Sequence, residues 1–487
     1  MTAKRLKIAL LHLSVEYGQP ERNLANLLDM AKEAIAKGAK LLVTPEMSLS
    51  GYCYENRESI KPHAQTESGP AVTAFRALAK EYGVYVALAL AELNEPLGML
   101  HNAAFFLDDK GRILGRSRKI NAESRWACPG EPIQVNIWPS PWGQVAVHIC
   151  SDSWNSLIPR ISAVKGADLL ILPANWPPTG LDPLDLWRFR ARENGLWFVA
   201  CNRTGLEEKL DCLNAASGAF DPYGRELFRG RSPVSQVFYV NLPLDSKGKL
   251  DSTRRQEILA ARKPAQSYRL YGNWTGLANL TSFLRLNEPG PLDLKALIPP
   301  PGVSPAAFAS QADLSSDSLY LLPTYSYSKA DAAELGRLFR ERAAIAKNEG
   351  REWLFFGKIT GQRVNQTDGL FLIDYGPARI WLATDEEIHQ PEPTIAAAKF
   401  GADLALGHVP SLTPDARLLA AIRPVDQLAA AIVAPDGAAF GLLWQGHDAG
   451  RGAFVNPGEV SGLTLDTRET RDKRFQDRLD FAALFRG

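Results

Sequence analysis

Between Leu6 and Gly205 short apolar runs alternate with amphipathic stretches, and that order leaves few folds open. "LKIALLHL" reads as a strand, and "PERNLANLLDMAKEAIAKG" as a helix with Leu24, Leu27, Leu28, Ala31 and Ile35 on one face and Gly38 as its stop. "AKLLVTPE" is the next strand, "PAVTAFRALAKEYG" a helix, and "VYVALALAEL" and "LHNAAFFLDDKGRILG" strands, the latter a hairpin turning at Asp109-Lys110-Gly111. "GQVAVHICSD" then reads as a strand, "LIPRISAVKG" as a helix, "ADLLILPANW" as a strand, and "LDLWRFRARENG" as a helix leading into the strand "LWFVACNRTG". Strand and helix in this alternation predict an α/β domain with helices outside a sheet core.

At 487 residues the chain is too long for one ordinary domain, and two are expected. Lys+Arg 55 against Asp+Glu 54 leaves a net charge of +1, which gives no electrostatic reason to expect nucleic acid or an anionic membrane as partner. The basic start "MTAKRLKIALLHLSVEYG" is followed too soon by Glu16 and Asn23 and has no small-residue cleavage site, so it reads as a strand and not as a signal peptide. With no apolar run as long as a membrane span, a cytoplasmic protein is expected. The five cysteines, Cys53, Cys128, Cys150, Cys201 and Cys212, are odd in number and lack Cys-x-x-Cys spacing. That argues against a disulfide scaffold or a zinc site, and no metal or other cofactor is expected.

Residues 287 to 313 are rich in proline and weakly periodic, which predicts a semi-rigid connector. The expected division is a first domain over 1–285, a connector over 286–315 and a second domain over 316–487. Residues 316–487 read as a worn copy of the first domain. "GQVAVHICSD" lines up with "GPARIWLATD", Gly143 on Gly376 and Asp152 on Asp385, and "KGADLLILP" lines up with "FGADLALGHVP", Gly166 on Gly401. Two matches in the same order and strand-helix-strand context favour a duplication over chance. On this pairing Ala383 stands where the first half has Cys150. The alternative for the second half is a binding module with a ligand of its own, for which "QGHDAGRGAF" offers a Gly-rich but unspecific loop.

Three residues of the first half stand out together. "LLVTPEMSLSGY" ends a doubly buried strand on Pro45 and a carboxylate, Glu46; Lys119 follows the hairpin; and Cys150 closes the run "VAVHIC". Strand ends on one edge of a parallel-type sheet collect into a common crevice, so groups distant in sequence can meet there. Singly, each has a bland reading: a solvated strand-end Glu, a solvated loop Lys and a core Cys. His148 shares a strand face with Cys150 but would stand about 7 Å along it, too far for a direct hydrogen bond, and is read as structural.

Taken in order, "LLVTPEMSLSGY", "GRSRKINAESRWACPG", "VAVHICSDSW" and "WRFRARENGLWFVACNRTG...SGAFDPYGREL" resemble the segments of the nitrilase superfamily of carbon-nitrogen hydrolases. The resemblance runs over roughly the first 270 residues and includes "ILAARKPAQSY", similar to that family's tail. It implies a four-layer α-β-β-α sandwich, present twice in tandem if the second half is a copy. It also implies Cys150 as nucleophile, Glu46 as general base and Lys119 as electrostatic partner, with Glu123 as a second, assisting carboxylate and Glu131 as the alternative to it. A thiol attacking an unactivated amide needs a base and a positive charge beside it, so each residue type has a chemical reason to be there. Tyr52, Ser151, Asn175 and Trp176 are expected around the substrate, with the Ser151 N–H near the oxyanion. Arg188, Arg190, Arg192 and Glu193 lie on a helix that the resemblance links to subunit contacts.

The chain departs from nitrile-hydrolysing members, which carry Cys-Trp-Glu where this sequence has "CSDSW"; amide or N-carbamoyl substrates are therefore expected. No Ser-Gly-Gly-x-Asp-Ser phosphate loop follows in the second half, which argues against a glutamine-dependent synthetase. The favoured reading is hydrolysis through a thioester at Cys150 that releases ammonia. An acyltransferase of the same fold, a nitrilase, and a non-catalytic regulatory protein remain as alternatives. The expected partner is a small-molecule amide or N-carbamoyl substrate, and the two halves are expected to form an intramolecular pseudo-dimer, with further homo-oligomerisation open.

Overall fold

Pro20 suits the first turn of helix Pro20–Ala36, where a missing N–H removes no helical bond, and the helix buries Asn23, Leu27, Ala31 and Ala34. With helix Pro70–Tyr82 it covers one face of a sheet in which Ala9, Leu11, Leu42, Val86 and Phe105 point toward the helices. Alternate residues of the same strand, Ile8 and Leu10, are equally buried on the opposite face. Such a strand is apolar on both sides because it lies between two layers.

A computed structural model describes residues 4–131, 136–264, 270, 280–315, 317–349, 352–359, 370–443, 452–471 and 473. Among these, the residues up to Arg262 form one compact unit and those from Lys263 onward a second. The first sheet of the first unit runs, edge to edge, Gln236–Pro243, Arg5–His12, Leu41–Val43, Tyr85–Asn94, Met99–Leu107, Ile113–Arg118. Its three inner strands, Arg5–His12, Leu41–Val43 and Tyr85–Asn94, are parallel, and the outer pairings are antiparallel. The second sheet runs Glu226–Gly230, Ser217–Phe220, Trp197–Cys201, Leu169–Pro173, Gly143–Val147, Ile137–Ser140, with the same parallel centre. Phe106 of the first sheet stacks on Trp138 of the second at 5.8 Å, and Tyr85 meets Trp142 at 5.2 Å, so the sheets face one another. Helix Pro183–Asn194 packs so closely outside the second sheet that a Cβ at Gly218 would come within 2.5 Å of Leu184. The order helix, sheet, sheet, helix is the expected four-layer sandwich.

The second unit repeats this plan by itself. One sheet runs Glu459–Asp466, Pro291–Ile298, Ser318–Tyr325, Ala343–Asn348, Trp353–Gly357, and the other Leu372–Tyr375, Ala378–Ala383, Leu404–His408, Ala429–Ala434, Gly437–Gly441, Gly452–Val455. Each neighbouring pair has the sense of its counterpart in the first unit. Polar contacts recur as well. Asp168 accepts the Gln144 N–H at 2.8 Å and pairs with Arg255, and Asp403 accepts the Arg379 N–H at 2.8 Å and pairs with Arg471. Arg190 pairs with Glu193 and donates to the Ser153 carbonyl at 2.9 Å; Arg423 pairs with Asp426 and donates to the Ile388 carbonyl at 2.9 Å.

Three expectations are corrected. The connector expected over 286–315 contains strand Pro291–Ile298, which buries Leu292, Leu294, Ala296 and Ile298 in the second unit's core. Its alternation of apolar and polar residues outweighs the prolines, which stand at the strand's start and beyond its end. Cys150 does not close a strand: Gly143–Val147 ends three residues earlier, and Cys150 begins the one-turn 3₁₀ helix Cys150–Ser153. Finally, Asp385, not Ala383, stands in the place of Cys150. Leu169 pairs with Val145 as Leu404 pairs with Ile380, and Asp385 opens the short helix Asp385–Ile388 as Cys150 opens its own. The glycine match misleads by two residues because Gly143 begins its strand, whereas Gly376 lies in the turn before Ala378. The loop "QGHDAGRGAF" and the tail "ILAARKPAQSY" fall partly outside the described residues.

Candidate active site

The backbone around Glu46 is pinned by both sheets of the first unit. Thr44 exchanges hydrogen bonds with the neighbouring strand, its N–H donating to Ala87 at 3.0 Å and its Oγ1 accepting from the Ala89 N–H at 2.9 Å. Ser48 donates to the Ala89 carbonyl through both N–H and Oγ. The Glu46 N–H itself crosses to the carbonyl of Ala174, just beyond strand Leu169–Pro173 of the second sheet, at 3.2 Å. The carboxylate is fully buried, so the solvated reading of Pro45-Glu46 is excluded.

Lys119 is held from two sides: its N–H donates to the Asn102 carbonyl at 2.8 Å, and its carbonyl accepts the Gly130 N–H at 2.9 Å. Its buried ammonium donates to Glu46 Oε1 at 2.7 Å and to Glu123 Oε1, and it lies 5.5 Å from the ring centre of Tyr52. Tyr52 Oη donates to Glu123 Oε1 at 2.5 Å. Asn102 Nδ2 donates to both carboxylates, at 2.7 Å to Glu46 Oε1 and 3.2 Å to Glu123 Oε2. Glu46 Oε2 is buried away from every nitrogen and oxygen donor among the described residues, and a side-chain hydrogen bond with Cys150 acts on the carboxylate.

Cys150 is buried beside this cluster in a left-handed backbone conformation, φ 45°. Met47, next to Glu46, is left-handed too, at φ 52°. Non-glycine residues adopt this region at an energetic cost, and such strain gathers at functional sites.

The electrostatics separate the two carboxylates. Burial raises the proton affinity of Glu46, and the Lys119 charge only partly offsets it. Burial acts on Glu123 in the same direction, but the Lys119 charge and hydrogen bonds from Lys119 and Tyr52 outweigh it and hold Glu123 ionised. Burial disfavours the Lys119 charge, yet Glu123 and Glu46 together keep the ammonium well above the usual lysine range. Burial and then the Glu46 charge push the Cys150 thiol well up, against the pull of Lys119 and the Asn175 N–H. At rest the site therefore holds a neutral thiol next to the carboxylate with the higher proton affinity.

The sequence of residues 7–250, half of the chain, matches the family described as carbon-nitrogen hydrolase. The chain belongs to the carbon-nitrogen hydrolases. This carbon-nitrogen hydrolase is 30% identical over 213 residues to a nitrilase of Pyrococcus abyssi, covering 42% of its own length and 78% of the relative's. It is 28% identical over 214 residues to a probable nitrilase of Schizosaccharomyces pombe, covering 42% and 77%. With the 2-oxoglutaramate amidase of Bacillus subtilis it shares 26% over 232 residues, covering 46% and 85%.

The hydrolase fold thus brings Glu46, Lys119 and Glu123 into direct contact, with Cys150 acting electrostatically on Glu46 and Lys119. Glu131, the alternative assisting carboxylate, is exposed. Tyr52 binds the cluster through its hydroxyl, and Ser151 Oγ turns to the Asn121 carbonyl at 3.2 Å. Asn175 is buried with Nδ2 unpaired among the described residues, and Trp176 is locked to Asn202 by two 3.0 Å hydrogen bonds. Arg190 and Glu193 form a buried pair that serves the backbone of the turn beginning at Cys150. The His148 ring lies between Asn136 at 2.9 Å and Ser162 at 2.7 Å, and burial lowers its pKa to about 3. It is neutral and committed to other partners.

Sequence reasoning missed Asn102 and Asp152. Asn102 was visible as one of two polar residues, with His101, inside the apolar strand Met99–Leu107, a position that demands a buried hydrogen-bond partner. Among the described residues no helix is long and apolar enough to cross a membrane.

Proposed function

We propose that the protein hydrolyses the carbon-nitrogen bond of a small amide or N-carbamoyl compound through a thioester at Cys150. The observation that carries this reading is the buried contact of Lys119 with Glu46 and Glu123 beside a neutral thiol. Cys150 Sγ attacks the carbonyl carbon, a C–S bond forms, and the thiol proton passes to Glu46. Proton transfer coupled to attack avoids building a free thiolate in a site where burial disfavours it. Two hydrogens of the Lys119 ammonium go to carboxylates among the described residues, which leaves the third for the oxyanion. Glu46 then hands its proton to the departing nitrogen, the C–N bond breaks, and a primary amide releases ammonia. Water attacks the thioester, gives a proton to Glu46, and the acid leaves as the C–S bond breaks and the thiol is restored.

The second unit carries Asp385 in the place of Cys150 and Thr324 in that of Glu46, since Leu319 pairs with Leu294 as Leu41 pairs with Ile8. We read it as a silent copy that pairs with the first unit in an intramolecular pseudo-dimer. A monomeric mass by sedimentation supports this pairing; an obligate homodimer joined through the first unit counts against it.

The test of the activity is ammonia release from primary amides, N-carbamoyl amino acids and aliphatic nitriles by the wild type and Cys150→Ala. Release from an amide or N-carbamoyl compound that vanishes in the variant is expected. Release that survives the substitution, or release from nitriles alone, overturns the reading.

A further inference from the structure

The 3₁₀ turn that begins at Cys150 and the segment that follows Lys119 belong to different sheets, yet one side chain joins them. Asp152 is fully buried. Its Oδ1 accepts the N–H of Ile120 at 3.0 Å and of Asn121 at 2.9 Å, and its Oδ2 accepts the N–H of Ile149 at 3.3 Å. Ser151 adds a bond of its own to the Asn121 carbonyl. The residues flanking the nucleophile and the residues flanking the lysine are thus tied to a single carboxylate. We infer that Asp152 is a positioning residue that sets the distance between the Cys150 sulfur and the Lys119 ammonium, and through it the placement of the oxyanion donor.

Three donors converge on Asp152 from the backbone, so the position calls for a group that only accepts. A carboxylate meets that demand with both oxygens, whereas an asparagine amide must turn its NH₂ toward at least one N–H. Burial pushes the Asp152 carboxyl up to about 7, and the Asn121 N–H, the Lys119 charge and the Ile149 and Ile120 N–H groups offset that cost only in part. The carboxylate reaches no reacting atom. Its effect on chemistry runs through Lys119, and a displacement of about 1 Å at a catalytic group lowers turnover by about 100-fold.

This inference rests on the thioester reading and is tested beside Cys150→Ala in the same ammonia-release assay. D152N and the smaller D152S, whose hydroxyl cannot span both N–H groups, are compared with wild type for kcat, KM, thermal unfolding and the rate at which iodoacetamide alkylates Cys150. Expected are folded variants with kcat lower by about 10- to 100-fold and KM within about threefold, because ground-state binding does not depend on the oxyanion donor. D152E, one methylene longer, is expected not to rescue kcat. A folded D152N or D152S with wild-type kcat overturns the inference. So does a proportional rise in KM that accounts for the whole loss, or failure of both variants to fold, which would make Asp152 a folding element. If Cys150→Ala stays active, the thioester reading has failed, independently of what the Asp152 variants do.

Discussion

Replacing Asn102 by leucine keeps the volume of the side chain and removes two buried donors, the 2.7 Å bond to Glu46 Oε1 and the 3.2 Å bond to Glu123 Oε2. A hydrogen bond to a charged group contributes about 1.5–3 kcal/mol. The longer bond to Glu123 is weaker and Lys119 still serves that carboxylate, so the loss falls chiefly on Glu46. Burial already raises the proton affinity of Glu46, and losing a donor to its ionised form raises it further. The sign follows: Glu46 must be ionised to take the thiol proton, so the acid limb of the rate profile moves to higher pH. On that limb the loss of about 1.5–3 kcal/mol corresponds to a rate roughly 10- to 150-fold lower. At alkaline pH, where Glu46 is ionised in both proteins, the rates converge. The assay is kcat/KM for ammonia release across pH, with urea unfolding at neutral pH as control. A limb that stays put in a folded Asn102→Leu protein would show that Asn102 does not hold the charge of Glu46, and the assignment of the base would lose its support.

Lys119→Met leaves two buried carboxylates facing one another without their cation, and removing one partner of a buried pair costs about 3–5 kcal/mol, read as a lower urea midpoint. Glu46→Gln keeps the shape of the site and removes the proposed base, so turnover is expected to be lost while the fold persists; substantial ammonia release by this variant would contradict the proton route. Gly130→Ala places a Cβ 2.3 Å from the Arg118 carbonyl, which must shift the backbone leading into Lys119 and lower kcat. His12, His148 and His408 are held by burial at about 4, 3 and 3, below the ordinary 6.5. The unfolded chain takes up these protons first, so stability is complete above pH 6.5 and declines as pH falls through 6.5 toward 4 and 3; denaturation midpoints at pH 8 and pH 5 measure the decline.

Much of this was legible in the chain because the inner strands of the first unit are buried on both faces and helices Pro20–Ala36 and Pro70–Tyr82 on one, and both patterns are written in residue spacing. Residue pattern alone left Pro45-Glu46 as a question, since a single strand end does not tell which strand of the other sheet comes to meet it, and the family resemblance supplied the expected role. Asp152 left no signal: its three partners are backbone N–H groups, which every sequence supplies. Pro291–Ile298 was misread because proline content is a local cue and strand pairing a distant one, with partners at 318–321 and 459–466.

The doubled topology makes the molecule its own comparison set. Polar groups that occur in both units, such as the Asp168–Arg255 and Asp403–Arg471 pairs, answer to the architecture, because the second unit retains them without a thiol. Groups that occur once, the carboxylate at 46 and the sulfur at 150 against the hydroxyl at 324 and the carboxylate at 385, are those the architecture can do without. A substitution at Asp168 or Asp403 should therefore appear in a melting curve, and one at position 46 or 150 in a rate.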